Sequence, residues 1–504
     1  MNLRDLLHGV SAEPVAAVPV AGVACHSKQV RPGDLFIAIE GEVVDGHAFI
    51  DEAIARGASA VVAQRLHDRY RFRGATAAAG GRELRPCPCV VVRDTREALV
   101  HVATRFYGHP SRKLKLLGVT GTNGKTTITY LLKTILEAAG ARAGLLGTIV
   151  YQIGGRAVPS TNTTPGPLEL QRYFAQMVGE GLQWCAMEVS SHALAQRRVD
   201  GLEFEAAMFS NLGSDHLDYH KTRNAYADAK RRIFEYLRAE GLAVINADDE
   251  FGRVLAETIP HRSIVTYGME RSAKVSVKHI ACSWQGTSLL LDSPWGALPI
   301  TTPLLGRHNV SNIAAAASTL LALGLPSGAI RDGLAALEGV PGRLERVPTD
   351  TEVRVLIDYA HTADALRLVL LSLRELTRGR LIVVFGCGGN RDQTKRPVMG
   401  KMAALLADHV VLTSDNPRGE DPRDIIHQIK AGFPPGFRQF EVVVDREQAI
   451  TTALAGARRE DTVLIAGKGH EAYQMFDHVS VPFVDRDIVE RWFGSQHTLA
   501  LSSG

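Results

Sequence analysis

Gly118-Val119-Thr120-Gly121-Thr122-Asn123-Gly124-Lys125-Thr126-Thr127 decides the fold class of this chain. An apolar run at 114–119 leads into it and an amphipathic run at 125–139 leaves it. In that second run Ile128, Leu131, Leu132 and Ile135 recur at helical spacing, and Gly140 stands where a C-terminal cap belongs. Strand, Gly-rich turn and helix in that order suit a phosphate loop. The glycines let backbone N–H groups converge on phosphate oxygens, the helix N-terminus adds partial positive charge, Lys125 neutralises the outer phosphates and Thr126 can ligate Mg²⁺. The spacing departs from G-x-x-x-x-G-K-[ST], because Val119 occupies the place of the first Gly. On these residues alone an ordinary Gly-rich turn stays open.

Working outward, strand-like runs at 145–150, 184–189, 206–209 and 242–246 alternate with helical segments, which predicts a parallel sheet covered on both faces. Beyond Pro341-Gly342, runs at 353–357, 381–385, 409–413, 441–444 and 462–466 predict a second doubly wound domain of Rossmann-like type. Upstream, strands at 35–39 and 89–92 flank a helix at 49–56, a small α/β domain, with the Ala-, Gly- and Arg-rich stretch 71–88 read as a flexible insertion. The expected class is therefore α/β in three domains, 1–110, 111–340 and 341–504. In open α/β sheets ligands bind beyond the carboxyl ends of strands, and the polar clusters of this sequence follow the strand-like runs.

Composition agrees. A length of 504 residues corresponds to about three domains. Apolar residues at 45% and charged residues at 22% exclude a disordered or collagen-like chain. The balance of 57 Lys+Arg against 54 Asp+Glu leaves +3, too little for a chain that coats nucleic acid or an anionic membrane, so no nucleic-acid or membrane partner is expected. Cys25, Cys87, Cys89, Cys185, Cys282 and Cys387 are too sparse for a disulfide scaffold. The N-terminus lacks a signal-peptide apolar region, and the Ala-rich stretch 313–325 is too short to span a bilayer. These features predict a cytoplasmic protein, expected to be a monomer.

Gly121 to Thr127 resembles the ATP loop of the Mur ligases and folylpolyglutamate synthetases, which join a carboxylate to an amine through an acyl phosphate and carry the same departure in spacing. Two downstream segments, each readable in isolation as a loop or cap, extend the resemblance: Glu188-Val189-Ser190-Ser191-His192, and Asn211-Leu212-Gly213-Ser214-Asp215-His216-Leu217-Asp218-Tyr219-His220. The Mur ligase resemblance implies that Gly121, Thr122, Asn123, Gly124, Lys125, Thr126 and Thr127 hold ATP, with Asn309, Arg343 and Asp358 reaching its adenine, ribose or phosphates. It implies that Thr126, Glu188 and His216 hold Mg²⁺, and that Lys230 is carbamylated and serves a second Mg²⁺. Lys125, Glu188, His216 and Lys230 are then the catalytic set. Activation as an acyl phosphate needs no nucleophilic side chain, only groups that spread the charge of the transferring phosphoryl.

The same resemblance supplies the other substrates. Asn162, Thr163, Thr164, Ser190, Gln196 and Arg198 are implied to grip the peptide and pyrophosphate of a UDP-N-acetylmuramoyl-dipeptide, and Cys25, Ser27, Glu42, Val43 and Val44 its uridine end. Asp415-Asn416-Pro417-Arg418 resembles the motif of the family member that adds meso-diaminopimelate. Arg418 offers a planar fork to that amine's distal carboxylate, and Arg391, Gly467 and Glu471 supply further contacts. Asn390 stands where relatives often have Asp, a change expected to be tolerated. The family pattern implies that the domains close around the reaction and exclude water. L-lysine as the amine, or a nucleotide-regulated binding protein without turnover, are the alternatives.

Overall fold

The computed structural model describes residues 1–12, 14–41, 44–66, 87–213, 215–261 and 263–502, with side chains as far as 495. Part of the stretch read as a flexible insertion, 71–86, lies outside the described residues, as do Glu42 and Val43. The chain forms two compact units: Met1–Leu117 with Arg142–Glu205 and Glu235–Ala239, and Gly118–Ala141 with Ala206–Phe234 and Glu240–Gly504. Among the described residues, no helix is long and apolar enough to cross a membrane.

The first unit opens with a parallel sheet in the order Gly22–Ala24, Asp34–Ile37, Ala60–Ala63, Cys89–Val91. Successive side chains point to opposite faces of a strand, and here both faces are covered. Leu35, Ile37 and Val62 pack with Leu3, Leu6 and Val102 on one side; Phe36, Val61 and Ala63 pack with Ile50 and Ile54 on the other. Asp94 caps the helix Thr95–Phe106, accepting hydrogen bonds from the N–H groups of Arg96 and Glu97. In the rest of the unit Trp184–Glu188 runs parallel to Ala143–Leu146, which continues into the antiparallel strands Val150–Ile153 and Arg156–Pro159. The strand expected at 145–150 is therefore two strands with a bend between them. A Cβ at Gly147 would sit 2.4 Å from Glu188 Oε1, so the chain turns where that carboxylate needs room.

In the second unit the helix Lys125–Ala138 buries Ile128, Leu131, Leu132 and Ile135 completely, and Gly140 follows it at φ +77°, as the spacing predicts. Leu237–Asn246 pairs in parallel with Ile264–Gly268, which pairs in parallel with Val275–Ser283. The antiparallel strands Gly286–Ser293 and Gly296–Thr302 then extend what was expected to be a wholly parallel region. The Ala-rich stretch at 313–325 lies largely in the helix Arg307–Ala322, which is buried on nearly every side.

The C-terminal sheet has the order Glu345–Val347, Arg354–Asp358, Thr462–Ala466, Leu381–Phe385, His409–Leu412, Phe440–Val442. All neighbours are parallel except the first pair. One face packs against Ala363–Leu376, Lys395–Leu406 and Pro422–Lys430, and the other against Arg446–Gly456 and the C-terminal helix Asp485–Ser502. The sheet is doubly wound, and the last strand inserts between the first two parallel ones, so the loops after 358, 385, 412 and 466 share one edge.

Beneath those loops lies a buried ion pair. Arg446 Nε and Nη2 donate to Asp485 Oδ1 and Oδ2 at 2.8 and 2.7 Å, and both residues are almost fully buried. Burial opposes the charge of Arg446, but Asp485, with Asp415 and Glu471 behind it, outweighs burial and raises its pKa. Removing one member strands the other charge, so Arg446→Ala is expected to destabilise the C-terminal fold by about 3–5 kcal/mol, whereas Arg446→Met combined with Asp485→Leu restores most of the loss. Denaturant titration of the two variants checks this.

Candidate active site

The phosphate loop is held from below by the segment after Phe204–Phe209. Thr122 N–H donates to Asn211 O at 2.8 Å and Asn123 N–H to Asn211 Oδ1 at 2.9 Å, while Ser210 Oγ–H donates to Asn123 O at 2.6 Å. The loop approaches this support so closely that a Cβ at Gly121, whose φ is +147°, would lie 1.9 Å from Ser210 Oγ. At Gly124, φ +90°, a Cβ would lie 2.3 Å from Asn312 Oδ1. Both positions need glycine, for conformation and for space. Thr122 Oγ1 meets Tyr226 OH at 3.1 Å and accepts from Gly213 N–H at 2.9 Å. Lys125 Nζ donates to Gly121 O and Thr122 O at 2.9 Å each, so the loop's own carbonyls set its ammonium in place. Thr126 and Thr127 are buried in the first turn of the helix.

Lys230 sits in the helix Arg223–Arg231 and is buried, donating to Gly121 O at 2.7 Å with its ammonium 4.3 Å from the centre of the Tyr226 ring. Burial, and then the neighbouring charge of Lys125, push its pKa well below that of an ordinary lysine, and Asp215 only partly offsets them. Asp215 works against its own desolvation. His361, His216 and Lys395 outweigh burial and hold its carboxyl below the usual range. His216 stands beside it, Nε2 to Oδ2 3.5 Å, at a left-handed φ of +56°.

Arg343 joins the loop from the segment before the C-terminal sheet. Its Nη2 donates to Thr126 Oγ1 at 3.3 Å, and its guanidinium lies 4.6 Å from the centre of the Tyr359 ring. Asp358 is buried and accepts from Leu344 N–H at 2.6 Å and Ala360 N–H at 2.8 Å, so it also fixes the backbone just after Arg343 and just after Tyr359. Burial raises its pKa. Asn309, likewise buried, donates to Leu305 O at 2.8 Å and accepts from Asn312 at 2.9 Å.

The first unit brings a second group of expected residues together. Glu188 ends the strand Trp184–Glu188 and is 1% exposed; its Oε1 accepts from Thr148 N–H at 2.7 Å and its Oε2 from Thr148 Oγ1 at 3.0 Å. Thr148 Oγ1 also meets Thr163 Oγ1 at 3.1 Å. Thr164 Oγ1 donates to Glu188 O at 2.9 Å and accepts from Ser190 N–H at 3.0 Å; Ser190 Oγ caps the short helix Ser191–Ala195. Arg198 reaches Thr164 O at 3.1 Å and is held by Gln196 Oε1 at 2.6 and 2.9 Å. The exposed Asn162 is positioned through its backbone by Tyr151 OH. At the expected uridine end Cys25 and Val44 are exposed, while Ser27 is buried and donates to Glu52 Oε2 at 2.7 Å.

The expected amine-binding residues converge at the shared edge of the C-terminal sheet. Asn416 Nδ2 donates to Glu471 Oε2 at 2.7 Å, and Tyr359 OH donates to Glu471 Oε1 at 3.3 Å. Asp415, in the same loop, accepts from Asn416 N–H at 2.7 Å. Arg418 uses Nη1 on Gly389 O at 3.0 Å, which leaves Nε and Nη2 without a protein partner among the described residues. The exposed Arg391 flanks it, and Pro417 lies between Asn416 and Arg418 in the same buried run. Asn390 adopts φ +52°, and its Oδ1 accepts from Gly419 N–H at 3.0 Å. A left-handed backbone with a local hydrogen-bond partner suits Asn at this position.

Several participants escaped the sequence reading. Thr148 follows the strand Ala143–Leu146 at a carboxyl end, and that position was its only signal. Asn211 and Asp215 stood in a quoted segment without roles, and Lys468, which is buried, drew no attention in the sequence. Among the described residues no group of three or more His, Cys, Asp and Glu is arranged to hold a metal ion by itself.

Three family models match the chain: the Mur ligase family catalytic domain over 19–107, the Mur ligase middle domain over 119–320 and the Mur ligase glutamate ligase domain over 342–469. The UDP-N-acetylmuramoyl-L-alanyl-D-glutamate--2,6-diaminopimelate ligase of Gloeobacter violaceus is 44% identical over 490 residues, 97% of each chain. The protein of the same name from Bacillus velezensis is 41% identical over 501 residues, 97% of this chain and 98% of its own. A solved structure of a UDP-N-acetylmuramoyl-L-alanyl-D-glutamate--2,6-diaminopimelate ligase superposes with TM-score 0.67 at 32% identity, covering 99% of both chains. The MurF ligase of Thermotoga maritima in complex with ADP shares the fold at TM-score 0.63 and 19% identity, over 95% of this chain and 99% of its own.

Proposed function

The chain belongs to the Mur ligase family, and from that premise we propose that it couples meso-2,6-diaminopimelate to the D-glutamate of UDP-N-acetylmuramoyl-L-alanyl-D-glutamate, with ATP cleaved to ADP and phosphate. The observation that carries the reading is full-length likeness to relatives bearing that activity in their names, joined to the cluster of Asn416, Arg418 and Glu471. The reaction serves peptidoglycan precursor synthesis, and its place is the cytoplasm. The three matched regions each fall within one of the segments 1–110, 111–340 and 341–504, which we assign to the UDP-sugar, to ATP and to the amine respectively.

The chemistry follows from the groups described. Backbone N–H groups of the loop and the N-terminus of Lys125–Ala138 bind the phosphates of ATP, and Lys125 takes the charge that develops on the γ-phosphoryl as it passes to the substrate carboxylate. Mg²⁺, when bound, supplies further charge neutralisation. Thr126, Glu188, His216 and Lys230 as its carbamate are the residues we assign to it, mostly oxygen donors of the kind a hard divalent cation takes. The neutral amine attacks the acyl phosphate, and phosphate leaves. Glu471 and Asn416 face the distal ammonium of the diamino acid, and the unused edge of Arg418 faces its distal carboxylate.

Purified protein given ATP, the dipeptide precursor and an equal mixture of L-lysine and meso-diaminopimelate is expected to release only the diaminopimelate tripeptide by mass spectrometry. A lysine product, or nucleotide binding with no ADP release, overturns the assignment. Arg418→Lys retains the charge but loses the fork, and is expected to raise the diaminopimelate KM about 30-fold while the ATP KM stays within about threefold. Steady-state kinetics with each substrate varied in turn checks this.

A further inference from the structure

We infer that Lys468 is the positioning residue of the amine site, a buried cation that fixes Asn416 and Glu471 and ties both to the hairpin Tyr473–Phe476/Val479–Pro482. The inference rests on the amine-ligase reading above and goes beyond it, since Lys468 is 0% exposed and lies beneath the groups assigned to substrate.

An ammonium without solvent must be matched by acceptors, and it has three donors to place. Lys468 Nζ lies 3.3 Å from Asn416 Oδ1 and 3.3 Å from Glu471 Oε2, and donates to Tyr473 O. The consequence for Asn416 is orientation. Its Oδ1 is claimed by Lys468 and by Met475 N–H at 2.9 Å, which forces Nδ2 toward Glu471, 2.7 Å away. Without the ammonium the amide can turn over, and the carboxylate of Glu471 loses the cation that balances it.

The hairpin carries the effect to Arg418. Arg418 N–H donates to Met475 O at 2.9 Å, and Asp477 N–H donates to Arg418 O at 2.6 Å, which holds Arg418 at its left-handed φ of +51°. Lys468 grips this hairpin at Tyr473, two residues before the first of those contacts. One side chain therefore sets both poles of the site: the carboxylate that meets the amine's ammonium and the guanidinium that meets its carboxylate.

The test uses the full-length protein with Lys468→Met, similar in length and without charge. The diaminopimelate KM is expected to rise about 30-fold, the scale of one lost charge-assisted hydrogen bond, while the ATP and dipeptide-precursor KM values stay within about threefold. Combined with Glu471→Gln, the double variant should be no worse than the poorer single one. An equal rise for ATP and amine, an unchanged amine KM, or strict additivity overturns the inference. Should Lys468→Met fail to fold, Lys468→Arg retains the charge but cannot direct three donors at the same acceptors; an unchanged amine KM in folded Lys468→Arg is likewise decisive against it. Arg418→Ala and Glu471→Gln run in parallel separate the two levels. If neither affects the amine KM, the amine-site reading itself fails; if both do and Lys468→Met does not, only the role of Lys468 fails.

Discussion

Lys125→Ala is expected to lower kcat/KM for ligation about 10³-fold, the scale seen when one preorganised donor is removed from a developing charge. The thermal transition should move little, because the side chain is only half-buried and contributes no packing to the core. The structure distinguishes Lys125 from its buried neighbour Lys230. Lys125 Nζ is set by Gly121 O and Thr122 O, both part of the loop it serves, whereas Lys230 points at Gly121 O from beneath, with its pKa pushed down by burial and by Lys125. Lys125→Arg should recover little, since a planar fork cannot rest on two carbonyls of one tight turn as a tetrahedral ammonium does. ADP release in the presence of all substrates is the measurement. A Lys125→Ala protein keeping more than about a tenth of wild-type turnover would falsify its role in charge stabilisation.

The phosphate loop was legible because it is local. Strand, turn and helix are written in consecutive residues, and the burial of Ile128, Leu131, Leu132 and Ile135 follows from spacing alone. The C-terminal sheet was legible for a related reason: its central parallel strands Leu381–Phe385 and Thr462–Ala466 are buried throughout and read as almost unbroken apolar runs. The antiparallel additions were harder to see. Val275–Ser283, Gly286–Ser293 and Gly296–Thr302 only partly alternate buried and exposed side chains, a period-two pattern diluted by Thr, Ser and Gly. Roles set by burial were least visible. Lys230 and Lys468 stand among polar neighbours in the sequence, yet each is enclosed, and only the tertiary structure shows which acceptors face it. Asp358 shows the converse, a residue singled out for nucleotide contact whose carboxylate also pins the backbone at Leu344 and Ala360.

Lys230→Ala is expected to cost about 10² to 10³ in kcat, and small carboxylates such as formate, acetate or propionate should restore part of it. The argument starts from the cost of the unmodified side chain. A lysine buried beside Lys125, with Gly121 O as its acceptor and the Tyr226 ring as its neighbour, is pushed toward the neutral amine. That form has the lone pair needed to bond to CO₂; in the proposed carbamylation the N–C bond would form, a proton would depart to solvent, and the site would become a carboxylate. The sign of the pH dependence follows from the depressed pKa. Between that value and about 10.4, where an unfolded lysine titrates, the folded state binds fewer protons than the unfolded chain, so stability rises with pH across the window. Carbamylation of the folded chain would extend this balance, because the carbamate carries no proton and reverts to an ammonium and bicarbonate on unfolding. Bicarbonate should therefore raise stability and steepen its rise with pH at the acid end of this window in the wild type and leave Lys230→Met unaltered, and ¹³C-bicarbonate should give a carbamate signal only in the wild type. A slope indifferent to bicarbonate, together with a Lys230→Arg enzyme of normal activity, would leave Lys230 as a structural lysine and return the second Mg²⁺ assignment to the remaining residues of the site.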